Sequence, residues 1–150
     1  MLFRSCAEAL CRLGFHVAQR LRASQSQNFM SLCRNWTPTG RIDDSLWQEE
    51  LTASRLLQYE IWNRLNARRL AHSHGEDARA LIDGIALIEL SPPVLERALE
   101  PFPTPVRTLV SLHLASIEFL RDQGQTIELA SYDKRLTTAA RALGISVMAL

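Results

Sequence analysis

Beyond residue 50 the apolar positions fall into short runs whose period switches between two and about 3.6, a pattern that predicts strands separated by helices. Leu51 to Ser54 predicts a short strand. It leads into a helix from Arg55 to Leu70, where Leu56, Leu57, Tyr59, Ile61, Leu65 and Leu70 lie on overlapping faces. His74-Gly75 reads as a break, followed by a helix from Glu76 to Ile85 and an apolar strand from Ala86 to Leu90. Ser91 stands where an N-cap is expected and Pro92 at the first helical position, so Val94 to Leu99 reads as a short helix. Pro101, Pro103 and Pro105 then impose a loop.

From Val106 to Asp122 the predicted helix is apolar on nearly every side, as in a helix buried against several neighbours. Gly124 ends it, Thr126 to Ser131 alternates as a strand, and Asp133 opens a helix from Lys134 to Leu143 that Gly144 closes. Ile145 to Leu150 predicts a last strand. Strands separated by helices of this length imply crossover connections, hence an α/β domain with a mainly parallel sheet flanked by helices.

The first part of the chain is different in kind. Residues 1 to 42 hold six arginines (Arg4, Arg12, Arg20, Arg22, Arg34 and Arg41) against one acid, Glu8, while the remainder holds eleven basic and fifteen acidic residues. Cys6 to Leu21 has the spacing of an amphipathic helix, but the polar run from Ala23 to Asn28 has no apolar period. The chain therefore divides into an atypical basic segment, 1–41, and an α/β domain, 42–150. Cys6, Cys11 and Cys33 match no zinc or redox spacing. With no secretion signal and no apolar run long enough to span a bilayer, the expected setting is a reducing cytoplasm away from membranes. The Arg- and Ser-rich opening also has the composition of an organelle transit peptide.

In open α/β sheets, sites form beyond the carboxyl ends of strands, which draws attention to Asp133. It is expected to cap the following helix through the N–H groups of Arg135 or Leu136, a role compatible with holding a cation. Glu60, on a core-facing helix, needs a partner, either a cation or Arg64 four residues on. His113 is expected to be buried and hydrogen-bonded rather than a metal ligand, and His72 and His74 to lie at a loop. Ser111 lacks the context of a nucleophile. Arg64, Arg68 and Arg69 read as a solvated face, with RNA contact as the lesser alternative.

Arg107-Thr108-Leu109-Val110-Ser111-Leu112-His113-Leu114-Ala115, followed by Leu129 to Ile145 with Ser131-Tyr132-Asp133-Lys134-Arg135-Leu136, resembles the C-terminal half of PIN domains of the VapC toxin type. Leu51 to Glu60 is similar to the segment that carries that family's helical glutamate. The resemblance covers roughly residues 42 to 150. It implies a Mg²⁺- or Mn²⁺-dependent endoribonuclease of toxin-antitoxin systems, with Glu60 and Asp133 as catalytic and metal-binding acids and Ser131 contacting substrate. It also implies an RNA substrate, a small antitoxin protein and a homodimer as partners.

Two of the family's acids have no counterpart. Residues 1 to 42 contain no aspartate, and Asp43-Asp44-Ser45 stands too close to Glu60 to end the family's first strand, so that strand is expected to be missing. Val110 replaces the helical aspartate, and a valine can neither hold a metal nor place a water. Loss of one preorganised charge commonly costs about a hundredfold in rate. The expectation is weak or absent cleavage, or a non-catalytic PIN-fold module that binds antitoxin or RNA.

Overall fold

The computed structural model describes residues 51–131 and 133–148. The basic segment 1–41, its candidate helix, Asp43 and the three cysteines lie outside them. The described residues form a mixed α/β structure in the order β1 (Thr52–Ser54), α1 (Leu56–Ala67), α2 (Ala71–Asp83), β2 (Ala86–Ile88), α3 (Pro92–Leu99), α4 (Thr108–Asp122), β3 (Glu128–Leu129), α5 (Lys134–Ala142) and β4 (Ser146–Val147).

Two crossover units account for the strands. β1 pairs in parallel with β2, aligning Thr52 with Ala86 and Ser54 with Ile88. β3 pairs in parallel with β4, aligning Glu128 with Ser146 and Leu129 with Val147. Both pairs are joined through helices, as parallel strands require. The expected parallel geometry is therefore present as two two-stranded sheets among the described residues. The paired stretches are shorter than the apolar runs: of Thr126 to Ser131, only Glu128 and Leu129 enter the ladder.

Burial explains why these segments order. Every residue of β1 is buried, and Ile61, Leu65, Leu114, Ile117, Leu129 and Leu136 lie almost wholly inside one apolar cluster. At about 25 cal/mol per Å² of apolar surface, each large aliphatic side chain buried there contributes roughly 1.5–3 kcal/mol before the entropy of ordering is counted. α4 is at the centre of this packing and touches α1, β1, α3 and α5. Its eight buried residues, from Val110 to Leu120, occupy most of its circumference, as its all-round apolar sequence implied.

Local chemistry terminates the elements. Gly124 and Gly144 adopt positive φ after α4 and α5, where a residue without Cβ escapes the steric penalty. Pro92 and Pro93 open α3, but the Ser91 hydroxyl makes no capping bond and is buried without a hydrogen-bond partner. The expected side-chain cap is replaced by the proline start alone. Arg55, leaving β1, bonds to Glu89 beyond β2. The Arg55 guanidinium holds the Glu89 carboxyl below its usual range, and Glu89 raises Arg55 in turn.

The break between α1 and α2 lies earlier than the sequence pattern placed it. α2 runs straight through His74-Gly75, and the chain turns instead at Arg68 to Leu70, with Arg69 at φ 58°. Gly75 serves a packing purpose, since a Cβ there would lie 3.2 Å from the Trp62 ring on α1. Arg79, one turn further on, places its guanidinium 5.1 Å from the centre of that same ring. The glycine signals close helix approach, and helix propensity alone could not distinguish that from a stop.

Candidate functional site

Asp133 lies just beyond β3, and it is the N-cap of α5. Its Oδ1 accepts hydrogen bonds from the N–H of Arg135 at 2.7 Å and of Leu136 at 3.3 Å. The preceding turn is held by Ser131, whose buried hydroxyl oxygen accepts from the Asp133 N–H at 3.0 Å. Strand end, Ser131 and helix start thus form one short unit that fixes the Asp133 carboxylate at the positive end of α5.

Glu60 is set from the other side of the fold. It extends from α1, its side chain 24% exposed, and its Oε2 lies 3.2 Å from Nε2 of His113, which is 0% exposed on α4. A carboxylate oxygen can only accept, so the imidazole Nε2 carries the proton in this contact. The partner of Glu60 is therefore His113, 53 residues away, and the intrahelical pair with Arg64 does not form. His113 is buried and hydrogen-bonded, as its place on an apolar helix implied. A buried histidine and a core-facing acid each require a partner, and that shared need is the sequence signal for their contact.

Val110 stands one helical turn before His113 on α4, so both side chains lie on neighbouring parts of the same flank. It is 8% exposed and belongs to the apolar core. The next residue, Ser111, spends its hydroxyl on the Thr108 carbonyl at 2.8 Å within the first turn of the helix. Thr108 and Ser111 also border an open cleft of about 550 Å³ whose other wall is the loop from Pro101 to Val106.

α4 packs against both α1, which carries Glu60, and α5, which begins after Asp133. Among the described residues no three His, Cys, Asp or Glu side chains gather into a group that could hold a metal ion. The other histidines do not supplement the set. His72 and His74 lie on α2, where His74 is buried and its Nδ1 is 2.7 Å from the Ser73 hydroxyl. Arg64, Arg68 and Arg69 are exposed around the end of α1.

Comparison with known protein families, with curated proteins and with solved structures found no match. Among the described residues no helix is long and apolar enough to cross a membrane.

Proposed function

We propose that this chain is a PIN-type protein related to the VapC endoribonuclease toxins, in which the acidic metal site is reduced to Glu60 and Asp133 and RNA binding outlasts efficient cleavage. The observation that carries this reading is the surroundings of Glu60. An acid held by a buried histidine stands beside a helix flank whose preceding turn presents Val110, an apolar core residue, where the resemblance calls for a carboxylate. Two further features support it. Asp133 and Ser131 form an ordered unit at a strand end. The two parallel strand pairs among the described residues also accord with the mainly parallel sheet that the resemblance implies.

Mg²⁺ or Mn²⁺ bound at such a site supplies positive charge to the scissile phosphate and lowers the pKa of a bound water. Glu60 and Asp133 are the residues that would hold it. Two carboxylates, one engaged by His113 and the other by a helix start, make a sparse donor set for a hard divalent cation. His113 fixes which oxygen of Glu60 faces α4, and Ser131 orients the turn that carries Asp133. The same reading gives the protein an RNA ligand, a small antitoxin and a second copy of itself as partners.

The test is cleavage of a labelled single-stranded RNA with Mn²⁺ and with EDTA, by the unmodified chain and by Glu60→Gln and Asp133→Asn. The expected result is binding with slow or undetectable cleavage. Fast, EDTA-sensitive cleavage by the unmodified chain, lost in both variants, would overturn the reduced site; the absence of RNA binding would overturn the whole reading.

A further inference from the structure

Helix α1 carries more on its outer surface than the acid that meets His113. Tyr59 is 62% exposed, and Asn63, Arg64, Arg68 and Arg69 are all exposed beyond it. At 1.5 Å rise per residue, Arg64 and Arg68 lie about 6 Å and 12 Å beyond Glu60 on one flank of the helix, since each step of four residues returns to nearly the same direction. Tyr59 and Asn63 form a parallel row beside them by the same spacing. Glu60 is the helix's only acid, and its carboxylate is occupied by His113. Among the described residues no carboxylate lies within ion-pair distance of Arg64, Arg68 or Arg69.

We infer that the exposed face of α1 is a binding track for single-stranded RNA, with Arg64 and Arg68 on successive phosphates, Tyr59 stacking on a base and Asn63 between the two rows. The inference rests on the proposed RNA-handling role and places the contact on residues that role does not name. Unpaired arginines at regular steps along a rigid helix are complementary to a charged backbone. An exposed aromatic beside them is the sequence-tolerant element of single-strand recognition. Duplex nucleic acid is disfavoured because its stacked bases offer Tyr59 no free face, and an acidic polypeptide would leave the tyrosine without a role. The track runs along the flank that carries Glu60, so a strand held on Arg64 and Arg68 passes that carboxylate.

The experiment is fluorescence anisotropy of a labelled twelve-nucleotide single-stranded RNA with the full chain, in EDTA and across a salt series. Arg64→Ala/Arg68→Ala should weaken binding at least about tenfold at low salt and reduce the slope of log affinity against log salt by about 1.4, or 0.7 per phosphate contact. Tyr59→Ala should weaken binding about tenfold with the slope unchanged, and Tyr59→Phe should bind like the unmodified chain. Arg141→Ala, on the exposed last turn of α5, should have no effect. All these side chains are exposed, and circular dichroism checks that each variant is folded. An unchanged affinity and slope in the double arginine variant overturns the inference. So does an equal loss in Arg141→Ala, or polyglutamate binding as tight as RNA and indifferent to Tyr59. Because EDTA removes turnover from the readout, failure of the chain to cleave leaves this result untouched. RNA binding that ignores α1 overturns the track alone.

Discussion

Replacing Val110 by aspartate separates a packing role from a chemical one, because the same side chain is a core residue and stands one helical turn from His113, which meets Glu60. Removing the buried isopropyl group loses roughly 1.5–3 kcal/mol of apolar burial. Introducing a carboxylate into this apolar core adds a desolvation cost, so in EDTA we expect Val110→Asp to be about 2–4 kcal/mol less stable. A domain of ordinary stability, about 5–15 kcal/mol, survives that loss. Val110→Asn is nearly isosteric with the aspartate variant and carries most of the packing cost without the charge. If position 110 adjoins a vestigial cation site, saturating Mn²⁺ at a hundred times its dissociation constant restores about 2.7 kcal/mol to Val110→Asp and little to Val110→Asn. Urea denaturation in EDTA and in Mn²⁺ measures the stability, and RNA cleavage under the same conditions measures the chemistry. The reasoning is refuted if Mn²⁺ stabilises the two variants equally, or if Val110→Asp cleaves no faster than the unmodified chain although Mn²⁺ stabilises it.

Three further outcomes follow from local geometry. Asp133→Ala should cost about 1 kcal/mol in urea denaturation, since two N–H groups of α5 lose their acceptor, whereas Asp133→Asn should retain most of the cap; equal losses would mean that charge, not capping, dominates there. Arg97 reaches Glu118 at 2.6 Å and lies over the Phe102 ring at 4.2 Å. Arg97→Ala should therefore destabilise the α3–α4 packing by about 1–3 kcal/mol, and the double variant with Glu118→Ala should lose less than the sum of the single changes. Gly75→Leu should cost about 1–3 kcal/mol by forcing α2 away from Trp62, and a neutral or stabilising result in the same denaturation assay would show that the ring yields freely.

The sequence by itself determined what depends on neighbours a few residues away. Asp133 caps α5 because an acid before a helical run meets free N–H groups whatever the rest of the fold does. Gly124 and Gly144 stop their helices because only they take positive φ cheaply. The apolar circumference of α4 required burial on several sides, β1 was legible as a short strand leading into α1, and β2 as a short apolar run between helices. Tertiary structure alone decided the rest. Whether Glu60 joined Arg64 or His113 depended on which side chain crossed a space 53 residues wide in sequence, and a fully buried imidazole gains more from a carboxylate than an exposed guanidinium that water already solvates. Whether Gly75 ended a helix or admitted Trp62 depended on the neighbouring helix, because a missing Cβ serves either purpose. How much of each apolar run entered a ladder was decided by the reach of its partner strand, since a backbone hydrogen bond exists only where two distant segments come together.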